Sequence, residues 1–495
     1  MKINYMVITL MAYSISWTSS ASLTYPIVDT GQTECFGIKQ ASSTCPTSSA
    51  DTFGQDAQYV GNHPTYLANI DGTVTDKVTG LVWSSTTDIN NDGKINADDK
   101  LSYQEAIEYV DKLRLAGYDD WRLPSIKELY SLILFDGQDP SGLKQTGDVR
   151  LIPFINDQYF AMNSGDTLSG ERLIDSQFVS STKYVSTTMR GDETVFGVNF
   201  IDGRIKGYGI ENSRGGKKTF YVLAVRGNTL YGQNQFTDNK NGTIEDTATG
   251  LLWQQSDNRK NVKFPEALSY CQNLSLAGRS DWRLPNAKEL QSIVDYSRSP
   301  NTSNSAAIDP MFETTTIRNE EGQTDYANYW SSTTHQNLRN GANAAYIAFG
   351  RSMGYMNNQW IDVHGAGSQR SDPKSGSSNM YPTGHGPQGD AVRVENMVRC
   401  VAGGDVQFVQ NPPQHQRMAK VFTNSGTNTN SMKSSRPQKD VSGSRGLPPR
   451  MDRDGDGKLS RNEVKGPLKK DFSRLDRNND GYLTPDEIPQ DAKTQ

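Results

Sequence analysis

The chain has 495 residues, enough for two to four domains, with 22% charged residues and a net charge of −5. That mildly acidic balance gives no footing for nucleic-acid binding, and past the first residues no stretch has the 18 or more apolar residues of a membrane helix. Aromatic residues at 9%, with 44 Gly and 22 Tyr, point to a loop-rich globular protein.

The first residues, MKINYMVITLMAYSISWTSSAS, read as a signal peptide over 1–21. Lys2 gives the positive start, and Tyr5 to Trp17 is apolar but too short to span a bilayer. Ser19 and Ala21 are the small residues before a cleavage site. An ordinary N-terminal strand is the alternative. No Cys lies near the cleavage site, which argues against a lipid anchor. The mature chain is therefore expected to be secreted, at the cell surface or in the periplasm, with no transmembrane anchor. Residues 22–60 form an N-terminal segment. The four cysteines, Cys35, Cys45, Cys271 and Cys400, are an even set in an exported chain, and four Cys allow three pairings.

Residues 61–228 and 229–404 are two copies of one domain, each of ~165 residues. DGTVTDKVTGLVW matches NGTIEDTATGLLW, and YQEAIEYVDKLRLAGYDDWRLPSIKELYSLI matches FPEALSYCQNLSLAGRSDWRLPNAKELQSIV. FVSST (Phe178–Thr182) matches YWSST (Tyr329–Thr333), and YVLAVRG matches MVRCVAG. TGLVW and TGLLW follow turn-forming residues and read as strands. Ala106, Tyr109, Val110 and Leu113, like Ala267, Tyr270, Cys271 and Leu274, have helical spacing, with Gly117 and Gly278 expected as C-terminal caps. SIKE and NAKE are capping boxes for a second helix. Each copy is therefore α+β. Cys271 and Cys400 align with Val110 and Ala224, so the first copy lacks both together. One bond, Cys271–Cys400, accounts for this, leaving Cys35–Cys45 to close a short N-terminal loop.

The pattern TG-L-x-W, EA, AG-x-x-DWRLP-x-x-KEL, WSST and VRCV, over residues 61 to 404, resembles the Lcl C-terminal domain family. The first copy departs from it at Val179 and at the cysteine pair. The resemblance implies two tandem domains akin to the C-type-lectin-like and formylglycine-generating-enzyme folds. It also implies adhesin-like binding of sulfated glycans, as in some family members. Within DWRLP, Trp121 and Trp282 are expected to anchor a core. Arg122 and Arg283 are expected to pair with Glu128 and Glu289, and Pro124 and Pro285 to set the start of the second helix. A ligand-binding Arg–Trp pair is the other reading.

The stretch DINNDGKINADD resembles a calcium loop. Asp88, Asn90 and Asp92 occupy positions 1, 3 and 5, with Gly93 at the turn. The Lys94 carbonyl, Asn96 and Asp99 stand at positions 7, 9 and 12. Trp83 and Glu105 are 22 positions apart where Trp253 and Glu266 are 13 apart, so the loop is an insertion in the first copy only. A polar Asn-Asp-Gly turn is the alternative. The second copy has its own insertion, 29 residues between Gly350 and Cys400. Its Trp360, Asp362, His364, Arg370, Asp372 and His385 are candidate ligand-binding residues, because a glycan site needs planar hydrogen-bonding groups and an aromatic face. A structural loop is the other reading.

Residues 405–450 are rich in Ser, Asn, Pro and Gly and read as a flexible linker. Residues 451–490 resemble a small α-helical EF-hand pair. The first loop offers Asp452, Asp454, Asp456, Lys458 (by its carbonyl), Ser460 and Glu463. The second offers Asp476, Asn478, Asp480, Tyr482 (by its carbonyl), Thr484 and Glu487. The implied cofactor is Ca2+. The leading function is an exported, non-enzymatic calcium-binding protein whose lectin-like copies bind a glycan or surface polysaccharide. The alternatives are a calcium-stabilised assembly protein and an enzyme related to the formylglycine-generating fold. The oligomeric state stays open.

Overall fold

In each copy a hairpin leads into a helix. Strands Thr73–Asp76 and Leu81–Ser84 pair antiparallel with Val74 opposite Trp83, and Thr243–Asp246 pairs with Leu251–Gln254 with Ile244 opposite Trp253. The last strand of each copy returns beside the hairpin: Val225–Gly227 on Leu81–Ser84, and Val401–Gly403 on Leu251–Gln254. Tyr66–Ala68 and Phe236–Asp238 complete a four-stranded sheet in each. This computed structural model describes residues 23–143, 147–211, 217–424, 459–461, 464, 469–476 and 481–483. The expected signal peptide lies outside them. The chain divides into two units, residues 1–427 and 428–495.

Helix α1 (Tyr103–Lys112) starts at a capping box of Ser102 and Glu105, and helix α3 (Phe264–Gln272) carries Pro265 in its first turn. Helices α2 (Ile126–Ser131) and α4 (Ala287–Ser292) start at the expected boxes, Ser125 with Glu128 and Asn286 with Glu289. Gly117 and Gly278 are not helix caps. Each sits in a tight turn beyond the helix end, where Leu115 and Tyr118 exchange backbone hydrogen bonds at 3.3 and 3.0 Å. Ala116 (φ 56°) and Gly117 (φ 76°) are both left-handed, and Ala277 and Gly278 repeat this at 54° and 75°. Two successive left-handed residues make the turn twist with its flanking strands, so glycine is needed for a hairpin rather than for a cap. The DWRLP tryptophans hold these turns. Trp121 Nε1 donates to the Leu115 carbonyl at 3.1 Å, and Trp282 Nε1 to that of Leu276 at 3.3 Å.

The DWRLP arginines pair as expected. Arg122 grips Glu128 through two bonds of 2.7 and 2.5 Å, and Arg283 grips Glu289 through two of 2.6 Å. The same glutamates close the capping boxes, so one carboxylate fixes both the helix start and the arginine.

The two copies are not separate bodies. Their outer strands join in one six-stranded sheet, in the order Asn328–His335, Asn343–Ala348, Gln369–Pro373, Arg204–Gly209, Asp192–Asn199 and Gln177–Thr188. The seam is Gln369–Pro373 against Arg204–Gly209, with Ile205 opposite Gln369. Gly207 sits at this seam because a Cβ there would lie 2.4 Å from the His364 carbonyl. A central core draws on both copies, including Trp83, Leu129, Trp253 and Leu290. Each copy keeps a smaller core under its long helix. In the second, Cys271 and Cys400 are bonded there; in the first, Val110 and Ala224 fill the same places. Cys35 and Cys45 form the other disulfide.

The lysine of each KEL motif crosses to the opposite copy. Lys127 Nζ donates to the Ser292 carbonyl at 2.7 Å, and Lys288 Nζ to the equivalent Ser131 carbonyl at 2.8 Å. Each lysine thus satisfies a carbonyl at the C-terminal end of the other copy's short helix. Burial lowers the ammonium groups to about 8 for Lys127 and about 7 for Lys288.

The first part of the expected linker is ordered. Lys420–Asn424 pairs with Gly147–Leu151, Phe422 is buried, and Arg417 grips Asp136 at 2.8 and 2.5 Å. One aromatic and one arginine anchor a stretch whose composition reads as solvated. In the second unit, Leu459–Ser460 pairs antiparallel with Tyr482–Leu483, with Leu459 opposite Leu483.

Candidate functional site

The inserted loop of the first copy leaves strand Leu81–Ser84 and returns to α1. Its polar side chains fold inward onto its own backbone. Asp88 Oδ2 accepts from the Gly93 N–H at 2.9 Å, Asn90 Oδ1 from Asp92 N–H at 2.9 Å, and Asp92 Oδ1 from Lys94 N–H at 2.8 Å. Gly93 (φ 80°) makes the turn that brings these oxygens to one side. Asn96 Oδ1 accepts from Asp98 N–H at 2.7 Å. Asp99 is fully buried and ties the loop ends, accepting from Ile89 N–H at 3.1 Å and Asn96 N–H at 3.0 Å. Its shorter side chain closes the loop, where a terminal Glu would reach inward with both oxygens. Asp88 Oδ1 is buried and has no hydrogen-bond partner among the described residues.

The loop is docked on its outer side. Ile95 packs against the central core and its carbonyl accepts from Asn163 Nδ2 at 2.9 Å. The Ala97 N–H reaches Asp166 Oδ2 at 3.4 Å, and Lys100 pairs with Glu171 at 2.5 Å. Asn163, Asp166 and Glu171 carried no sequence signal, since they lie about 70 positions away in a polar stretch without a motif. Among the described residues no group of three or more His, Cys, Asp or Glu converges as a metal centre. A loop of this type draws on Asn and carbonyl oxygens as well, so acidic groups alone do not describe it.

In the second unit, Gly481 N–H donates to Asp476 Oδ2 at 3.0 Å, the same contact that Gly93 makes with Asp88. Ser460 and Tyr482 lie on the paired strands. Asp452, Asp454, Asp456, Lys458, Glu463, Asn478, Asp480, Thr484 and Glu487 lie outside the described residues.

The second copy's insertion does not bring its candidate residues together on one surface. It supplies the seam strand instead. His364, Arg370 and Asp372 are buried. His364 Nε2 and Asp390 Oδ1 are 3.0 Å apart, Arg370 pairs with the other Asp390 oxygen, and burial lowers the His364 imidazole to about 4. Asp372 accepts from Asn396 Nδ2 at 3.2 Å and from the Arg393 N–H at 3.2 Å. Asp362 accepts from Tyr184 of the first copy at 3.1 Å, and burial pushes it up to about 7. Trp360 packs edge-on against Tyr355 at 5.2 Å, half-buried, and His385 is exposed, held by backbone bonds to Asp390. Trp360 and Arg370 therefore serve different packing environments rather than one sugar platform.

The sequence model of the Lcl C-terminal domain matches residues 72–226 and again residues 242–364, together more than half of the chain. The chain belongs to the Lcl C-terminal domain family. No curated protein and no solved structure matches it. The second Lcl C-terminal match stops at residue 364, just short of the seam strand Gln369–Pro373. The loop Asp88–Asp99 falls inside the first Lcl C-terminal match as an insertion that the second copy does without. No helix among the described residues is long and apolar enough to cross a membrane.

Proposed function

We propose that this is an exported calcium-binding protein whose paired Lcl C-terminal copies bind a glycan or cell-surface partner. One observation carries the calcium reading. Asp88 Oδ1 is a buried carboxylate oxygen with no partner among the described residues, in a loop whose Asn90 and Asp92 oxygens accept from its own backbone. A buried, unsatisfied charged oxygen is costly, and a hard cation relieves that cost. Asp88, Asn90, Asp92, the Lys94 carbonyl, Asn96 and Asp99 are the residues that would hold Ca2+. The ion would neutralise Asp88 and Asp92 and so brace the strand-to-helix turn. The tail is read as a second, independent calcium-binding pair, supported by the Asp476–Gly481 contact and the Leu459–Leu483 strand pairing.

The partner reading rests on family membership, not on the buried residues of the second insertion. Their burial favours a second reading, an assembly protein stapled by calcium. An enzyme of the formylglycine-generating kind would need a free thiol, and all four cysteines are paired. A glycan array probed with the full chain, with and without chelator, separates the two binding readings. Calcium-dependent hits on sulfated glycans are the expected result. A clean negative in both conditions removes the glycan partner and leaves the assembly reading.

A further inference from the structure

The two copies share a face that is covered in one and open in the other. In the second copy its wall includes Arg283, Lys288, Ser332 and Thr333, each at most 4% exposed. The cover is the chain's own N-terminal segment. Asp56 accepts from Thr333 Oγ1 at 2.6 Å and from Thr30 Oγ1 at 2.8 Å. Gln32 brackets the next residue, accepting from Thr334 N–H at 2.9 Å and donating to the Thr334 carbonyl at 2.8 Å. Asp29 runs beside Gly61 and Asn62, donating its N–H to the Asn62 carbonyl at 2.8 Å.

In the first copy the wall is built the same way. The Pro124 carbonyl accepts from Ser181 N–H at 2.7 Å, as that of Pro285 does from Ser332 N–H at 2.8 Å. Thr182 Oγ1 accepts from Ile126 N–H at 3.0 Å, as Thr333 Oγ1 does from Ala287 N–H at 2.9 Å. Arg122 reaches the Gly227 carbonyl at 3.4 Å, as Arg283 reaches that of Gly403 at 3.4 Å. Among the described residues no segment covers it as 24–60 covers the second copy. The Arg122 side chain is 33% exposed against 4% for Arg283. Ser181 is exposed and Thr182 half-buried, and the face opens into a groove of about 590 Å³. The Thr182 hydroxyl hydrogen, which its counterpart gives to Asp56, has no acceptor among the described residues.

We infer that this groove binds a polypeptide segment of a partner, read by the Thr182 hydroxyl through a carboxyl or carboxamide side chain. The second copy supplies the template for that ligand. Its bound segment is a folded one: the short helical turn Asp56–Gln58 brings the Asp56 carboxyl to the equivalent hydroxyl, and the Asp29 backbone runs beside Gly61 and Asn62. Tyr231 and Gly232, which open the second copy as Gly61 and Asn62 open the first, line the open groove. Lys127 is already engaged by Asn234 and Ser292, so the floor of the groove is fixed before any ligand arrives. The site is independent of the calcium and glycan reading above.

The test uses the full chain and a synthetic, disulfide-closed peptide spanning its residues 24–60, followed by calorimetry. Saturable binding at one equivalent is expected. Ser181→Trp, which fills the groove, and Thr182→Val, which removes the hydroxyl, should each weaken it about tenfold or more, the scale of one strong hydrogen bond. Thr182→Ser should keep it, and this pair carries the test if Ser181→Trp fails to fold. Asp88→Ala with Asp92→Ala should leave it unchanged. No saturable binding, or equal binding to all variants, overturns the inference. Binding seen only after removal of residues 425–495 assigns the groove to the chain's own tail and overturns it too. So does a sulfated oligosaccharide that needs Thr182 while the peptide does not bind.

Discussion

Arg283→Ala is expected to destabilise the chain by about 3–5 kcal/mol, the usual cost of leaving one partner of a buried ion pair unpaired. Arg283 and Glu289 are 4% and 1% exposed and meet through two bonds of 2.6 Å. Removing the guanidinium strands a carboxylate that water cannot reach. Glu289 keeps only its bond from the Asn286 N–H at 2.9 Å. Arg122→Ala provides the internal control. The chemistry is the same, but Arg122 is 33% exposed, so water replaces part of what is lost. A cost of about 1–2 kcal/mol is expected there, between surface and buried pairs. Urea unfolding of the two variants measures the difference. Equal losses would mean that the cover over the second copy does not set the strength of the pair.

The second large effect concerns the disulfide that only one copy has. Cys271→Val with Cys400→Ala gives the second copy the residues that the first uses at those positions. Both cysteines are fully buried, and Val110 and Ala224 are 2% and 1% exposed in the equivalent core. The bond spans 129 residues, worth about 4–5 kcal/mol in the chain-entropy picture. Packing should be largely conserved, so the loss should come from the freed unfolded chain. At about 2.1 cal/mol/K of unfolding entropy per residue, a body of roughly 400 residues shifts by about 1.2 °C per kcal/mol, so Tm should fall by about 5–6 °C. Calorimetry of the double variant checks this. An unchanged Tm would show that the first copy's apolar solution is as stable as the bonded one.

What the repeat made legible were local relations. The capping boxes and the arginine–glutamate pairs join residues whose spacing is the same in both copies, and the joint absence of Cys271 and Cys400 from the first copy pointed to the cysteine pairings. The repeat also isolated the inserted loop at Asp88–Asp99. It did not reveal where the copies meet. Lys127 and Lys288 look like ordinary exposed helix residues in sequence, yet each caps the other copy's helix, a relation that exists only once the copies face each other. The second insertion misled for the same reason. Its histidines, Arg370 and Asp372 resemble a polar ligand loop, but the insertion supplies the strand that completes the shared sheet, and its charges pair inside the seam. Gly117 and Gly278 follow a helix and so read as caps, whereas the turn they make depends on Trp121 and Trp282 six residues beyond Leu115 and Leu276. Phe422 and Arg417 show how two anchoring residues order a stretch that composition assigns to solvent.

The proposed calcium site in the inserted loop should be independent of the tail. Calcium titration calorimetry of the full chain beside the Asp88→Ala, Asp92→Ala double variant tests it most directly. The variant should lose one calcium equivalent and keep the remainder with unchanged affinity. An unaltered stoichiometry would contradict it, and loss of all binding would contradict the independence of loop and tail.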